Sequence, residues 1–109
     1  MAQTPEKKIK AKVVKVLKEE GAYYFFPATH GYGRSGVPDI VACVRGYFLG
    51  IECKAGNKKP TPLQARELES IRSSGGRAIY INDENVDMLR DYVRTVSYTH
   101  LTLPTKRIV

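Results

Sequence analysis

Apolar residues recur along the chain in two rhythms, and the changes of rhythm mark out the elements. Ile9, Val13, Val16 and Leu17 stand at the spacing of one helix face. Ahead of them, Thr4-Pro5-Glu6 has the chemistry of a helix start: a capping hydroxyl, a proline suited to the first helical position, and an acid at the positive end of the helix dipole. Gly21 stops this helix. Ala22 to Phe26 is aromatic and suits a strand that Pro27 cuts short. Thr29 to Gly36 holds three glycines and reads as a loop. Val37 to Val44 and Tyr47 to Lys54 are strand-like, and Arg45-Gly46 between them is short enough for a hairpin turn.

After a polar, basic loop from Ala55 to Pro60, Thr61-Pro62 repeats the cap-plus-proline start, and the second helix runs to about Ser74, where Gly75-Gly76 ends it. Arg77 to Ile81 predicts another strand. Asn82 or Asp83 can cap a last helix with Val86, Leu89 and Val93 on one face. The order α-β-β-β-α-β-α predicts one α/β domain with a mixed β-sheet flanked by helices, over residues 1–96. No internal repeat is present.

Residues 97–109 break the pattern. They hold three threonines, one proline and no clear period, and resemble translated adapter read-through more than a domain segment. We read this tail as non-native or disordered.

A chain of 109 residues can bury one modest core. With no run of 18 apolar residues, no transmembrane helix is expected, and no apolar signal core follows Lys7, Lys8, Lys10 and Lys12. Cys43 and Cys53 both fall in apolar runs, as in a reduced cytoplasmic protein with core cysteines. The net charge of +7 falls to +5 without the tail's Lys106 and Arg107. That surplus favours a polyanionic partner without specifying it.

Candidate chemistry centres on Asp39, then twelve residues, then Glu52-Cys53-Lys54. Strand alternation puts Glu52 and Lys54 on one face, with Ile51 and Cys53 on the other. Asp39 opens the preceding strand of the same hairpin, so the two acids can converge with Lys54 beside them. Two carboxylates plus water suit Mg²⁺, which can polarise a phosphodiester and activate water. Lys54 supplies positive charge where the phosphate gathers negative charge. The competing reading is a surface ion pair between Glu52 and Lys54, but the apolar run Phe48, Leu49, Ile51 places these charges at the end of a buried strand.

Other residues can join this group, each with a plainer reading. Gln64 shares a helix face with Leu68 and Ile71 and could orient Lys54 or a metal-bound water; it could also be a surface residue at a helix start. Glu6 lies on the apolar stripe of the first helix and could reach a metal, or simply favour the dipole; Glu19 and Glu20 sit at the far end of that helix. In the loop before Asp39, Arg34 and Ser35 could hold a phosphate, as could Lys58 and Lys59 after Lys54. His30 could shuttle a proton, although a lone loop histidine is usually without such a role.

Gly36-Val37-Pro38-Asp39, Glu52-Cys53-Lys54, Thr61-Pro62-Leu63-Gln64 and Ser74-Gly75-Gly76 together resemble the virus-type replication–repair nuclease (VRR-NUC) domain of the PD-(D/E)xK nuclease superfamily, over about residues 4–94. The resemblance implies a restriction-endonuclease-like core and a DNA endonuclease that uses Mg²⁺, with Mn²⁺ as a substitute. By position it makes Asp39, Glu52 and the backbone carbonyl of Cys53 metal ligands. Lys54 positions water and stabilises the transition state, Gln64 is an accessory residue, and Glu6 is the helix-borne acid. It also implies a phage or bacterial homodimer cutting branched DNA, such as four-way junctions, in the bacterial cytoplasm. Two alternatives stay open: a non-catalytic basic DNA-binding module, and a sequence-specific restriction-type endonuclease.

Overall fold

Thr4 accepts the Lys7 N–H on its side-chain oxygen at 3.2 Å, and from this cap α1 runs over Pro5–Glu19. A computed structural model describes residues 4–28 and 35–101. The following elements are β1 (Tyr23–Phe25), β2 (Ile40–Val44), β3 (Tyr47–Cys53), α2 (Pro62–Ser73), β4 (Arg77–Ile81), a 3₁₀ turn at Val86–Met88 and α3 (Leu89–Leu101). The order is the one the hydrophobic pattern predicts. Arg34, His30 and residues 102–109 lie outside the described residues.

The four strands lie in the order β1-β2-β3-β4. β1, β2 and β3 are antiparallel neighbours, and β4 joins β3 in parallel after the crossover through α2. Arg45 and Gly46 make the β2–β3 turn with φ of 48° and 92°. Two positive φ values match the natural twist of a two-residue hairpin.

Alternation along the strands divides the sheet into two faces. Ile40, Ala42 and Val44 of β2, Leu49, Ile51 and Cys53 of β3, and Ile81 of β4 are buried against Ile9, Val13 and Leu17 of α1 and Leu89 and Val93 of α3. α2 covers the other face. Its approach is close: a Cβ on Gly50 would stand 2.7 Å from Ile71 Cδ1 and 3.0 Å from Pro38 Cγ. The sheet is therefore flanked by helices on both sides, a compact α/β core of the restriction-endonuclease type.

Two expectations need correction. Cys43 is exposed, while Cys53 is buried, because Cys43 points away from the face that Ile40, Ala42 and Val44 turn to the core. Neither Asn82 nor Asp83 caps the last helix. Asn82 Oδ1 accepts the Glu84 N–H at 2.9 Å, which closes a local turn, and the 3₁₀ turn then leads into α3. α3 itself continues to Leu101. Among the described residues no helix is long and apolar enough to cross a membrane.

Candidate active site

The parallel pairing of β3 and β4 brings the C-terminal ends of both strands to one edge of the sheet, where open α/β sheets place their ligands. Glu52 lies near the end of β3 and Lys54 just beyond it. Ile51 and Cys53 belong to the core face, and Glu52 and Lys54 alternate with them and approach each other. Asp39 stands immediately before β2, and the antiparallel register sets Ile40 opposite Ile51. The hairpin thus delivers Asp39 beside the Glu52–Lys54 segment, and its Oδ2 accepts the Cys53 N–H at 2.9 Å.

Electrostatically this is an acidic pair in a confined place. Glu52 is only 2% exposed, and its Oε1 has no hydrogen-bond partner. Lys54 Nζ stands 3.9 Å from Glu52 Oε2. Burial, and then the neighbouring Asp39 charge, push the Glu52 carboxyl up to about 8; Lys54 opposes the shift and Glu6 adds to it. The Cys53 thiol is pushed up to about 12, first by burial, so it behaves as an inert core group. A buried carboxylate with an unserved oxygen next to a second carboxylate fits a hard divalent cation, which would supply the missing partner and lift the repulsion. The Cys53 amide points at Asp39, and in extended backbone a residue's carbonyl lies on the same side as its amide.

Asp39, Glu52 and Lys54 are therefore brought together. Glu6 is felt by Glu52 but does not close a cluster: among the described residues no three acidic, histidine or cysteine side chains are placed to hold a metal. Glu19 and Glu20 are committed elsewhere. They pair with Arg90 and Arg94, fastening α1 to α3, and the hydrogen bond from Arg94 holds the Glu20 carboxyl below its usual range.

Gln64 is engaged in a capping box. Its Oε1 accepts the Thr61 N–H at 3.0 Å, and its N–H donates to Thr61 Oγ1 at 3.2 Å. Its side-chain oxygen is thus taken up in starting α2. Lys58 and Lys59 are exposed in the loop after Lys54, and Ser35 is exposed at the turn ahead of Asp39.

One further cation escaped the sequence reading. Lys10 Nζ lies 3.9 Å from Asp39 Oδ1. Its position four residues after Glu6, on the same helix stripe, is the signal that could have found it.

The family model for archaeal Holliday junction resolvases (Hjc) matches residues 6–73, which contain Glu6, Asp39, Glu52, Lys54 and Gln64. The chain belongs to this nuclease family. A relative named "Putative nuclease p44", from Acyrthosiphon pisum secondary endosymbiont phage 1, is 36% identical over 78 residues, which span 71% of this chain and 81% of the relative. A solved VRR_NUC domain superposes with a TM-score of 0.69 at 26% identity, covering 83% of this chain and 98% of that one. A second structure, a VRR_NUC domain protein, matches with a TM-score of 0.66 at 20% identity, over 87% of this chain and 89% of its own. The chain is accordingly a VRR-NUC nuclease domain, as the motif resemblance implies.

Proposed function

We propose that this nuclease is a divalent-metal-dependent DNA endonuclease selective for branched DNA, four-way junctions among its substrates. The observation that carries metal dependence is the buried Glu52, with an unpartnered Oε1 and the Asp39 carboxylate beside it. Asp39 and Glu52 would hold Mg²⁺, or Mn²⁺ in its place, together with the Cys53 carbonyl, while Glu6 serves as an acid on the rim of the site. When bound, the ion supplies Lewis-acid polarisation of the scissile phosphate and activation of water.

The remaining steps belong to the chain. Lys54 keeps its ammonium in the cleft, at the point where a phosphate in transition gathers negative charge. Its low exposure strengthens that interaction, because little water screens it. Gln64 contributes its amide nitrogen as an accessory donor, its oxygen being held by Thr61. Arg34, Ser35, Lys58 and Lys59 hold backbone phosphates and set the register of the strand. Branch selectivity is supported by the Holliday junction resolvase family model. Symmetric cleavage of two strands needs two sites, so we assign a homodimer. The phage relative supports action in the cytoplasm of a bacterial host.

The test is cleavage of linear duplex, single strand, flap, splayed-arm and four-way-junction DNA, each with Mg²⁺, Mn²⁺ or chelator. Metal-dependent cutting confined to branched substrates is expected. Equal cutting of linear duplex at defined sequences would instead favour a restriction-type enzyme, and DNA binding without cutting in any metal would favour a binding module.

A further inference from the structure

The loop that carries the basic residues past the site is held by hydrogen bonds from the end of β4. The last rung of the ladder is the Lys54 N–H donating to the Ile81 carbonyl at 2.9 Å. Beyond it both strands have ended, yet the bonding continues. The Asp83 N–H donates to the Gly56 carbonyl at 2.9 Å, and the Gly56 N–H donates back to Asp83 Oδ2 at 3.0 Å. Asn82 is 2% exposed, and its Nδ2 donates to the Lys58 carbonyl at 2.9 Å. The rest of Asn82 is fixed by its own turn: its Oδ1 accepts from the Glu84 N–H, and its N–H donates to Asn85 Oδ1 at 2.8 Å. Asn85 in turn donates to the Tyr80 carbonyl at 2.8 Å. A rigid four-residue turn therefore grips the backbone between Lys54 and Lys58 at two places.

We propose that Asn82 and Asp83 are positioning residues of the nuclease, holding the Lys54–Lys58 segment so that Lys54 meets Glu52 and Lys58 and Lys59 meet substrate phosphates. The proposal deepens the reading above and rests on it. Lysine is a flexible point charge. Fixing its backbone removes part of the ordering that DNA binding would otherwise require, and it sets the reach of Lys54. A buried asparagine whose one outward bond goes to this loop is the device that does so.

The discriminating variant is Asn82→Asp. It preserves volume and the oxygen that accepts from Glu84, but it sets a carboxylate oxygen against the Lys58 carbonyl and adds a buried charge, so the exposed Asp83 variants below serve as its control. We expect kcat/KM on the preferred DNA to fall about tenfold, with a higher KM. DNA binding measured in Ca²⁺ should weaken, with a shallower dependence on salt, because Lys58 and Lys59 no longer act in register. Asp83→Ala, at an exposed position, should shift KM and salt slope in the same direction. Asp83→Asn, which keeps an acceptor for the Gly56 N–H, should restore most of the loss. A purely structural role would lower the melting temperature while leaving KM and salt slope unchanged where the variants are folded. That result, or wild-type KM and salt slope in Asp83→Ala even if Asn82→Asp does not fold, overturns the proposal. Failure of the nuclease reading is separate: the wild type would then cut no DNA in Mg²⁺ or Mn²⁺, while the salt slope of binding would still report on the hold of Asn82 and Asp83 on the Lys54–Lys58 segment.

Discussion

Glu52 and Asp39 share a space that has room for one negative charge more readily than for two. The folded-state pKa of Glu52, about 8, lies above its ordinary value of 4.5. The metal-free fold therefore holds a proton that the unfolded chain releases as pH rises. Stability from this group is fully present below about pH 4.5 and is lost progressively up to pH 8, at a rate of up to about 1.4 kcal/mol per pH unit. The melting temperature of the metal-free protein is predicted to fall between pH 5 and pH 8, and Glu52→Gln to flatten that decline. Thermal melts across the range check this; a wild-type curve that rises with pH would contradict the burial argument. The acidic pair and Lys54 were legible in the sequence because strand alternation fixes a side chain's face. Lys10 was not, because a helical lysine four residues from an acid is common and only the packing of α1 shows that it reaches Asp39.

At the scale of elements, helix starts and strands were legible because their chemistry is local. Thr4-Pro5 and Thr61-Pro62 begin α1 and α2 as caps should, and Arg77–Ile81 is the strand its β-branched pattern indicates. The turn at Asn82–Asn85 was not legible: the same Asn and Asp residues that cap helices also close turns, and only the neighbouring loop at Gly56 and Lys58 decides between the two uses. Gln64 shows a similar overlap, since a residue at this position can serve the helix start, the cleft, or both. Gln64→Glu retains an oxygen for the Thr61 N–H while removing the amide donor. It is predicted to leave the melting temperature within a few degrees and to lower kcat by about tenfold or more. A variant with unchanged kcat would confine Gln64 to the capping box.

Across the whole molecule, a core shared by α1, α3 and the sheet supports one active edge, and α2 closes the opposite face over Gly50. Val96 is among the buried residues, and the backbone of α3 continues to Leu101. We propose residues 1–96 as the working domain, because the sequence loses its hydrophobic period after them. A chain ended at residue 96 is predicted to cleave DNA at the full-length rate; a loss of more than about tenfold would show that the tail belongs to the enzyme. The family and the fold are carried by long-range order, from Glu6 through Gln64, whereas the choice of DNA substrate depends on surfaces that no short motif encodes.

The most direct measurement compares wild-type protein with Asp39→Asn, Glu52→Gln and Lys54→Ala on a four-way junction in Mg²⁺, alongside melting curves for each. The predicted result is cleavage by the wild type that chelator abolishes, with all three variants folded and at least about 10²-fold slower. Folded variants that cut at the wild-type rate would contradict the assignment of the active site to Asp39, Glu52 and Lys54.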